Sequence, residues 1–221
     1  LDIKPGQRVL EIGCGWGGFA TYLATEHQAR VTAITVSKEQ LEHTQAAVQR
    51  EGLGERVEAK FVDYRDVEGR YDRIASIEMF EAVGEQYWPA YFAKLREALA
   101  PGGRAALQII TIADRFFDSY RSGVDFIQRY IFPGGMLPSN RALAREYERA
   151  GLTLAGQDFH GLDYARTLAE WNARFQARWT EIEKLGFDAR FKRMWEFYLA
   201  YCEAGFRSGA TDVTQVALVR P

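Results

Sequence analysis

The sequence predicts an α/β fold: a doubly wound, mostly parallel sheet of seven strands with a helical cap or insertion. Three observations carry that prediction. Short apolar runs alternate with amphipathic stretches through the first half of the chain. A cluster of glycines stands directly after the first apolar run. The second half closes on one more apolar run after a long helical stretch. A strand-helix-strand series with right-handed crossovers folds as an open parallel sheet with helices on both faces.

The first run, Arg-Val-Leu-Glu-Ile at 8–12, ends in glycines and reads as a buried parallel strand, followed by a helix over 17–26. A second strand is predicted at 30–35. Ser37 then caps a helix, with Gln40 three residues on in capping-box spacing, and that helix stops near Gly52. Strands three and four fall at 57–62 and 73–77. An amphipathic helix over 87–99 is expected to end at Pro101-Gly102-Gly103, before strand five at 104–112. Residues 113–138 are rich in aromatics and glycine and read as an insertion over the top of the sheet. Ser139 caps a helix to about 150, 151–159 is a sixth strand, 164–207 is helical with a break at Gly186, and 213–219 is the last strand. No repeat or linker divides the chain. A single domain over 1–221 is expected, with its core sheet at about 8–112 and 151–219, the cap at about 113–138 and helices at about 164–207.

Composition excludes several classes. The 221 residues are 47% hydrophobic and 26% charged, the balance of an ordinary globular chain. Lys and Arg number 28 against 30 Asp and Glu, a net charge of −2, so no basic field recruits nucleic acid. No apolar run approaches the roughly 18 residues of a membrane span. Two cysteines cannot build a disulfide framework, and a cytoplasmic setting is expected. The three histidines are scattered and no ligand spacing is present, so no metal is assigned. The chain has no initiating Met and enters its first strand behind only a Pro5-Gly6 turn, so we expect a fragment of a longer protein.

The glycine loop is the most informative stretch: Glu11, Gly13, Cys14, Gly15, Trp16, Gly17 and Gly18. Glycines at a strand-to-helix junction let a ligand approach the backbone, and the helix N-terminus offers free N–H groups. Two cofactors compete for it. Gly13, Gly15 and Gly18 satisfy the dinucleotide spacing, but that site also wants a carboxylate at the end of strand two, where this chain has Ile34-Thr35-Val36-Ser37. S-adenosylmethionine has no phosphate and carries a sulfonium cation, so the acidic Glu11 suits it better. The Glu11-x-Gly13-x-Gly15 pattern is that of a Rossmann-like class I methyltransferase, and it is the preferred reading.

Further stretches are more specific. They are Thr35-Val36-Ser37-Lys38-Glu39-Gln40, the segment 76–84 (Ser-Ile-Glu-Met-Phe-Glu-Ala-Val-Gly), Ile131 to Ser139, Tyr164 to Leu168, and Tyr201 to Arg207. With these the sequence resembles the cyclopropane fatty acid synthases and mycolic acid cyclopropane synthases over nearly its whole length. The resemblance implies transfer of a methylene unit from S-adenosylmethionine to the cis double bond of unsaturated phospholipid acyl chains. It implies that residues 9–17 line the cofactor's methionine and ribose. Thr35, Ser37 and Gln40 would replace the ribose carboxylate, and Tyr64 and Arg65 would flank the adenine. It also implies a bound bicarbonate as base, with Ile77 (through its backbone), Glu81 and Tyr164 as ligands.

Each residue has a plainer reading. Glu81 fits a solvated first-turn carboxylate, Tyr164 a core aromatic, and Ser37 with Gln40 a capping box. Two departures from the family stand out. Gln108 occupies the strand-five position where well-known members carry a His; Gln can donate to an anion but cannot titrate near neutral pH, which leaves a methyl-branched product open. The family's N-terminal segment, with a bicarbonate-contacting Cys, is missing, so weak cofactor binding and poor turnover are expected of the 221-residue chain alone. The aromatics of the insertion are read equally as an acyl tunnel or as lid packing. The basic run at 190–193 could touch anionic lipid at a membrane periphery, but a solvated helix face explains it as well. A small-molecule N- or C-methyltransferase and a non-catalytic cofactor-binding remnant remain the alternatives. The sequence says nothing of oligomeric state.

Overall fold

The structure is a computed structural model that describes residues 1–221. Its elements run β1 (Arg8–Ile12), α1 (Gly18–Glu26), β2 (Arg30–Thr35), α2 (Lys38–Arg50), β3 (Val57–Phe61), β4 (Tyr71–Ile77), α3 (Trp88–Ala98) and β5 (Leu99–Ile112). They continue with α4 (Asp114–Arg121), α5 (Phe126–Tyr130), α6 (Asn140–Arg149), β6 (Thr153–Phe159), α7 (Gly161–Ala177), α8 (Trp179–Glu183), α9 (Ala189–Arg207) and β7 (Thr211–Val219). Short 3-10 turns occupy Tyr64–Asp66, Phe80–Ala82 and Glu85–Tyr87.

Seven strands make one sheet in the order β3-β2-β1-β4-β5-β7-β6. β1 pairs in parallel with β2 and β4, β2 with β3, and β4 with β5. β7 is antiparallel to β5. The Gly102 N–H donates to Arg220 O at one end and Ala113 N–H to Ala210 O at the other, so residue numbers rise on one strand as they fall on the other. The strand order runs outward one way from β1 through β2 to β3 and then switches to the other side with β4, so the carboxyl ends of β1 and β4 lie side by side at the switch point, the place where open α/β sheets bind ligands.

The chain divides into two compact units: residues 1–109, 141–158 and 215–221 in the first, and residues 110–140 and 159–214 in the second. The first is built on apolar strands. Val9, Val31, Ala33 and Val57 pack with Leu23 and Ala24 of α1 in a core from which water is almost fully excluded. The second is mainly helical, with Ala165 and Leu168 of α7 packed on Leu199 and Phe206 of α9 and on Val213. Burying each such Leu, Val or Phe contributes about 1.5–3 kcal/mol.

Five expectations are corrected in detail. The helix expected over 87–99 stops at Ala98. The Pro-Gly-Gly stretch that was to follow it is the start of β5, where Gly103 sits too close to the Ala100 carbonyl for any side chain, a Cβ there lying 2.7 Å away. The expected aromatic insertion at 113–138 contains two short helices, and the helical stretch expected from 164 begins at Gly161. Only half of the predicted capping box forms: Ser37 accepts from the Gln40 N–H at 3.2 Å, but the Ser37 N–H turns to Thr35 Oγ1 at 3.1 Å.

Candidate cofactor and methyl-transfer site

The glycine loop leaves β1 as a tight turn. Gly13, Gly15 and Gly17 have φ of 81°, 52° and 84°, in the left-handed region. Two of them are also closed in. A Cβ on Gly13 would lie 2.8 Å from Met79 Cγ, and one on Gly17 would lie 2.7 Å from Thr44 Cγ2. A Cβ on Gly15, by contrast, would meet nothing, so that glycine faces open space a ligand can use. The N–H groups of Gly13 and Cys14 both donate to Ile34 O, at 3.0 and 2.9 Å, and tie the loop to β2. Gly17 is the N-cap of α1 and no side chain caps that helix end.

Glu11 lies at the end of β1 under this loop. It is 3% exposed, and its Oε2 has no hydrogen-bond partner. Burial alone pushes its carboxyl up to about 8. A buried acid without a partner is costly unless something cationic completes it. The arrangement of an orphaned carboxylate, an open glycine and an uncapped helix end fits a ligand with a cationic centre such as a sulfonium. A pyrophosphate would gain nothing from that acid, because its negative charge opposes the ionisation of Glu11.

Cys14 is buried and faces inward. Its Sγ lies 3.8 Å from Gly15 O and 3.9 Å from Thr44 Oγ1, and burial, with Glu11 adding to it, raises its thiol. It therefore shapes the loop rather than offering its sulfur to a ligand. Trp16 is 60% exposed and stands edge-on to His43, with ring centroids 5.3 Å apart.

At the end of β2 the three polar residues form one group. The buried Thr35 donates to Gln40 Oε1 at 2.7 Å, while Ser37 Oγ donates to Glu39 at 2.8 Å. With its oxygen engaged, Gln40 keeps its amide N–H groups as donors. Beyond β3, Tyr64 packs edge-on to Tyr91 at 5.2 Å. The Arg65 guanidinium clamps Asp63 through two bonds of 2.9 and 2.8 Å, which holds the Asp63 carboxyl below its usual range. Arg65 thus stabilises the turn, and its charge is already matched.

Ile77 ends β4, is 40% exposed and pairs with Gln108 on β5. Glu81 sits in the 3-10 turn that follows, anchored by Phe80, which is 1% exposed and packs on Tyr91 and Phe92. Tyr164 belongs to the second unit. It lies in the first turn of α7, with its ring against Phe206 at 5.0 Å and Trp171 at 6.1 Å. The structure thus groups Glu11 with the glycines, Thr35 with Ser37 and Gln40, and Ile77 with Gln108, each within the first unit.

One residue of this edge was missed by sequence reasoning. Glu78 has φ of 51°, unusual for a side chain of its size. Its N–H donates to the Gln108 carbonyl at 2.8 Å, and its Oε1 accepts from Gln108 Nε2 at 2.7 Å. Gln108 Oε1 in turn accepts from Gln215 Nε2 at 2.8 Å. Backbone strain of this kind has no periodic signature in sequence. Only the adjacency of Glu78 to a strand end hinted at it.

A Rossmann-like sheet with this strand order and a glycine loop over a buried acid defines a class I methyltransferase fold. A family model described as mycolic acid cyclopropane synthetase matches residues 1–216, and the chain belongs to that family. Its relatives include tuberculostearic acid methyltransferase of Mycobacterium tuberculosis, 44% identical over 99% of this chain and 51% of the relative. Cyclopropane-fatty-acyl-phospholipid synthase of Escherichia coli K12 is 41% identical over the whole of this chain and 55% of its own. The chain therefore spans about half the length of these relatives. Among solved structures, the cyclopropane synthase MmaA2 of Mycobacterium tuberculosis superposes with a TM-score of 0.91 at 27% identity, over 99% of this chain and 80% of that one. The mycolic acid cyclopropane synthase CmaA1, solved with S-adenosylhomocysteine, gives 0.92 at the same identity and coverage. No helix of this chain is long and apolar enough to cross a membrane.

Proposed function

We propose that the protein transfers a one-carbon unit from S-adenosylmethionine to the cis double bond of unsaturated acyl chains, and that a cyclopropane ring on phospholipid chains is the product. The observation that supports this most is Glu11, the buried and partnerless carboxylate beneath an open glycine turn. When bound, the cofactor supplies an electrophilic methyl on a cationic sulfur. Glu11 is the group on this chain that answers its positive charge. Gly15 lets it lie against backbone while Gly13 and Gly17 hold the turn tight, Gln40 meets the ribose, and Tyr64 offers a ring face to the adenine.

Attack by the alkene leaves a positive charge on the lipid chain. An anion must then take a proton from the new methyl for the ring to close. The resemblance offers bicarbonate for this anion, with Glu81 orienting it, Ile77 donating through its backbone and Gln108 as a further ligand; a carboxylate of the chain itself would serve the same step.

A methyl-branched product is the second reading. It is favoured by the 44% identity to tuberculostearic acid methyltransferase, and Gln108 in place of a titrating His is compatible with it. The test is direct. The whole protein containing this chain is incubated with methyl-labelled S-adenosylmethionine and vesicles of unsaturated phospholipid. A gain of one methylene with loss of the alkene and a ring signal by NMR is the expected result. Branched chains would select the second reading, and label confined to small amines would end both.

A further inference from the structure

Gln108 is the amide that the resemblance would give to an external anion, and in this chain that amide already holds one. Its Nε2 donates to Glu78 Oε1 at 2.7 Å, and its oxygen is fixed by Gln215 at 2.8 Å. A backbone bond from the Glu78 N–H to the Gln108 carbonyl, 2.8 Å, locks the pair from the other side. The chain bears a cost to place a carboxylate here. A residue with φ of 51° pays the left-handed penalty that glycine would avoid. Met79, the next residue, packs under Gly13, so Glu78 stands one residue from the wall of the glycine turn. A second free anion bound beside Glu78 would meet its like charge.

We propose that Glu78 is the general base of the transfer reaction, a built-in carboxylate in the place of bicarbonate, and that Gln108 and Gln215 are positioning residues that aim it. The inference rests on the acyl-transfer reading above. In the step assigned to it, a Glu78 oxygen takes a proton from the methyl newly bonded to the lipid cation. The C–H bond breaks, its electron pair forms the closing C–C bond of the ring, and the proton leaves the exposed carboxylic acid to water. Nothing is oxidised or reduced.

The whole protein is assayed with vesicles of unsaturated phospholipid in carbonate-depleted, argon-purged buffer and again with added bicarbonate. The wild type is expected to turn over equally in both. Glu78→Gln keeps an acceptor for Gln108 and should lose about a hundredfold in kcat with S-adenosylmethionine affinity unchanged, the scale for removing one preorganised polar group from a transition state. Glu78→Gly relieves the left-handed backbone, so it should melt higher than wild type and yet turn over as poorly, a split that a merely structural residue does not give. Gln215→Leu should lower kcat about tenfold, as loss of an orienting partner does, and Glu78→Asp should recover part of the activity. Wild-type turnover that falls on carbonate depletion, or wild-type rates in Glu78→Gly, would overturn the proposal. A wild type that labels no acyl chain in either buffer would overturn the acyl-transfer reading itself.

Discussion

The two compact units bury their apolar residues very differently. In the first, Val9, Leu10, Ala33, Ile74 and Leu107 are at most 1% exposed, and large exposed apolar side chains are mainly Trp16, Val36, Phe61, Ile77 and Tyr87 near strand ends and loops. In the second, large apolar groups are exposed both on helices and on the turns between them: Val124 at 75% and Leu185 at 76% in turns, Phe197 at 52% and Tyr201 at 42% on α9. A unit that binds a small cofactor needs rigid walls, and buried parallel strands supply them. A unit whose helices keep aromatic side chains at the surface has apolar area to spare for something other than its own core. Four measurements would break or sharpen that contrast.

The largest effect belongs to Glu11, because the rigid unit has nowhere to hide a charge. Its carboxyl is raised from 4.5 to about 8, so between those values the unfolded chain gives up its proton while the folded chain keeps it. The unfolded state then binds fewer protons, and stability of the ligand-free protein falls as pH rises through this window. The full penalty, roughly 5 kcal/mol, is present above pH 8 and absent below the unfolded value. Glu11→Gln should abolish this slope in urea titrations across pH 5–9 and leave a more stable protein at the alkaline end. A cationic ligand reverses the preference. Binding of S-adenosylmethionine should release about one proton below pH 8, seen by calorimetry in buffers of different ionisation enthalpy, and Glu11→Gln should bind it far more weakly.

Next in size is a pair of glycines, one from each unit. Gly17 and Gly186 have φ of 84° and 97°, but a Cβ on Gly17 would strike Thr44 at 2.7 Å, whereas one on Gly186 would meet nothing. Gly186→Ala should cost about 1–2 kcal/mol for backbone alone. Gly17→Ala adds roughly 1–3 kcal/mol of overpacking to the same strain and should also abolish cofactor binding. Equal melting temperatures for the two variants would show that the loop yields as easily as an exposed turn.

That pair also explains what could be read from sequence. The glycines, the strand-helix alternation and the polar trio at Thr35, Ser37 and Gln40 are local patterns, and the structure brings each together within one unit. Gly17 was legible as a turn residue, but its closeness to Thr44 depends on how α2 lies against the loop. The capping box at Ser37 was half right because Thr35, which helix-cap rules do not consider, won the Ser37 N–H. The role of Arg65 was hidden by a partner two residues away, Asp63. Glu78 was missed because its distinction lies in a backbone angle and in Gln215, which is remote in sequence. Tyr164 was singled out by resemblance alone, and its place beside Phe206 and Trp171 is what helical periodicity gives any aromatic in that turn.

The leucines of the second unit test the contrast on a smaller scale. Leu199 is 2% exposed between α9 and α7, and Leu185 is 76% exposed. Leu199→Ala should cost about 2–5 kcal/mol, and Leu185→Ser should stay within about 0.5 kcal/mol, both read from urea midpoints at constant m. A large loss from Leu185→Ser would mean that this exposed turn is part of the stability core, and the division drawn here between rigid and spare apolar area would have to go.

The smallest effect compares the two cysteines, one in each unit. Cys14 is buried with its thiol raised by burial and by Glu11; Cys202 is half-buried and its thiol is pushed up to about 12, by burial first and then by Asp125. Raising a thiol's pKa lowers its thiolate fraction at neutral pH, and the thiolate is the reacting form. Both should therefore resist iodoacetamide at pH 7 in the folded protein and react only on unfolding, with mass spectrometry reading the adducts. Cys14 adds a finer test, because Glu11 is one cause of its inertness. In Glu11→Gln that contribution vanishes, so Cys14 should become slightly more reactive while Cys202, which owes nothing to Glu11, stays as it was.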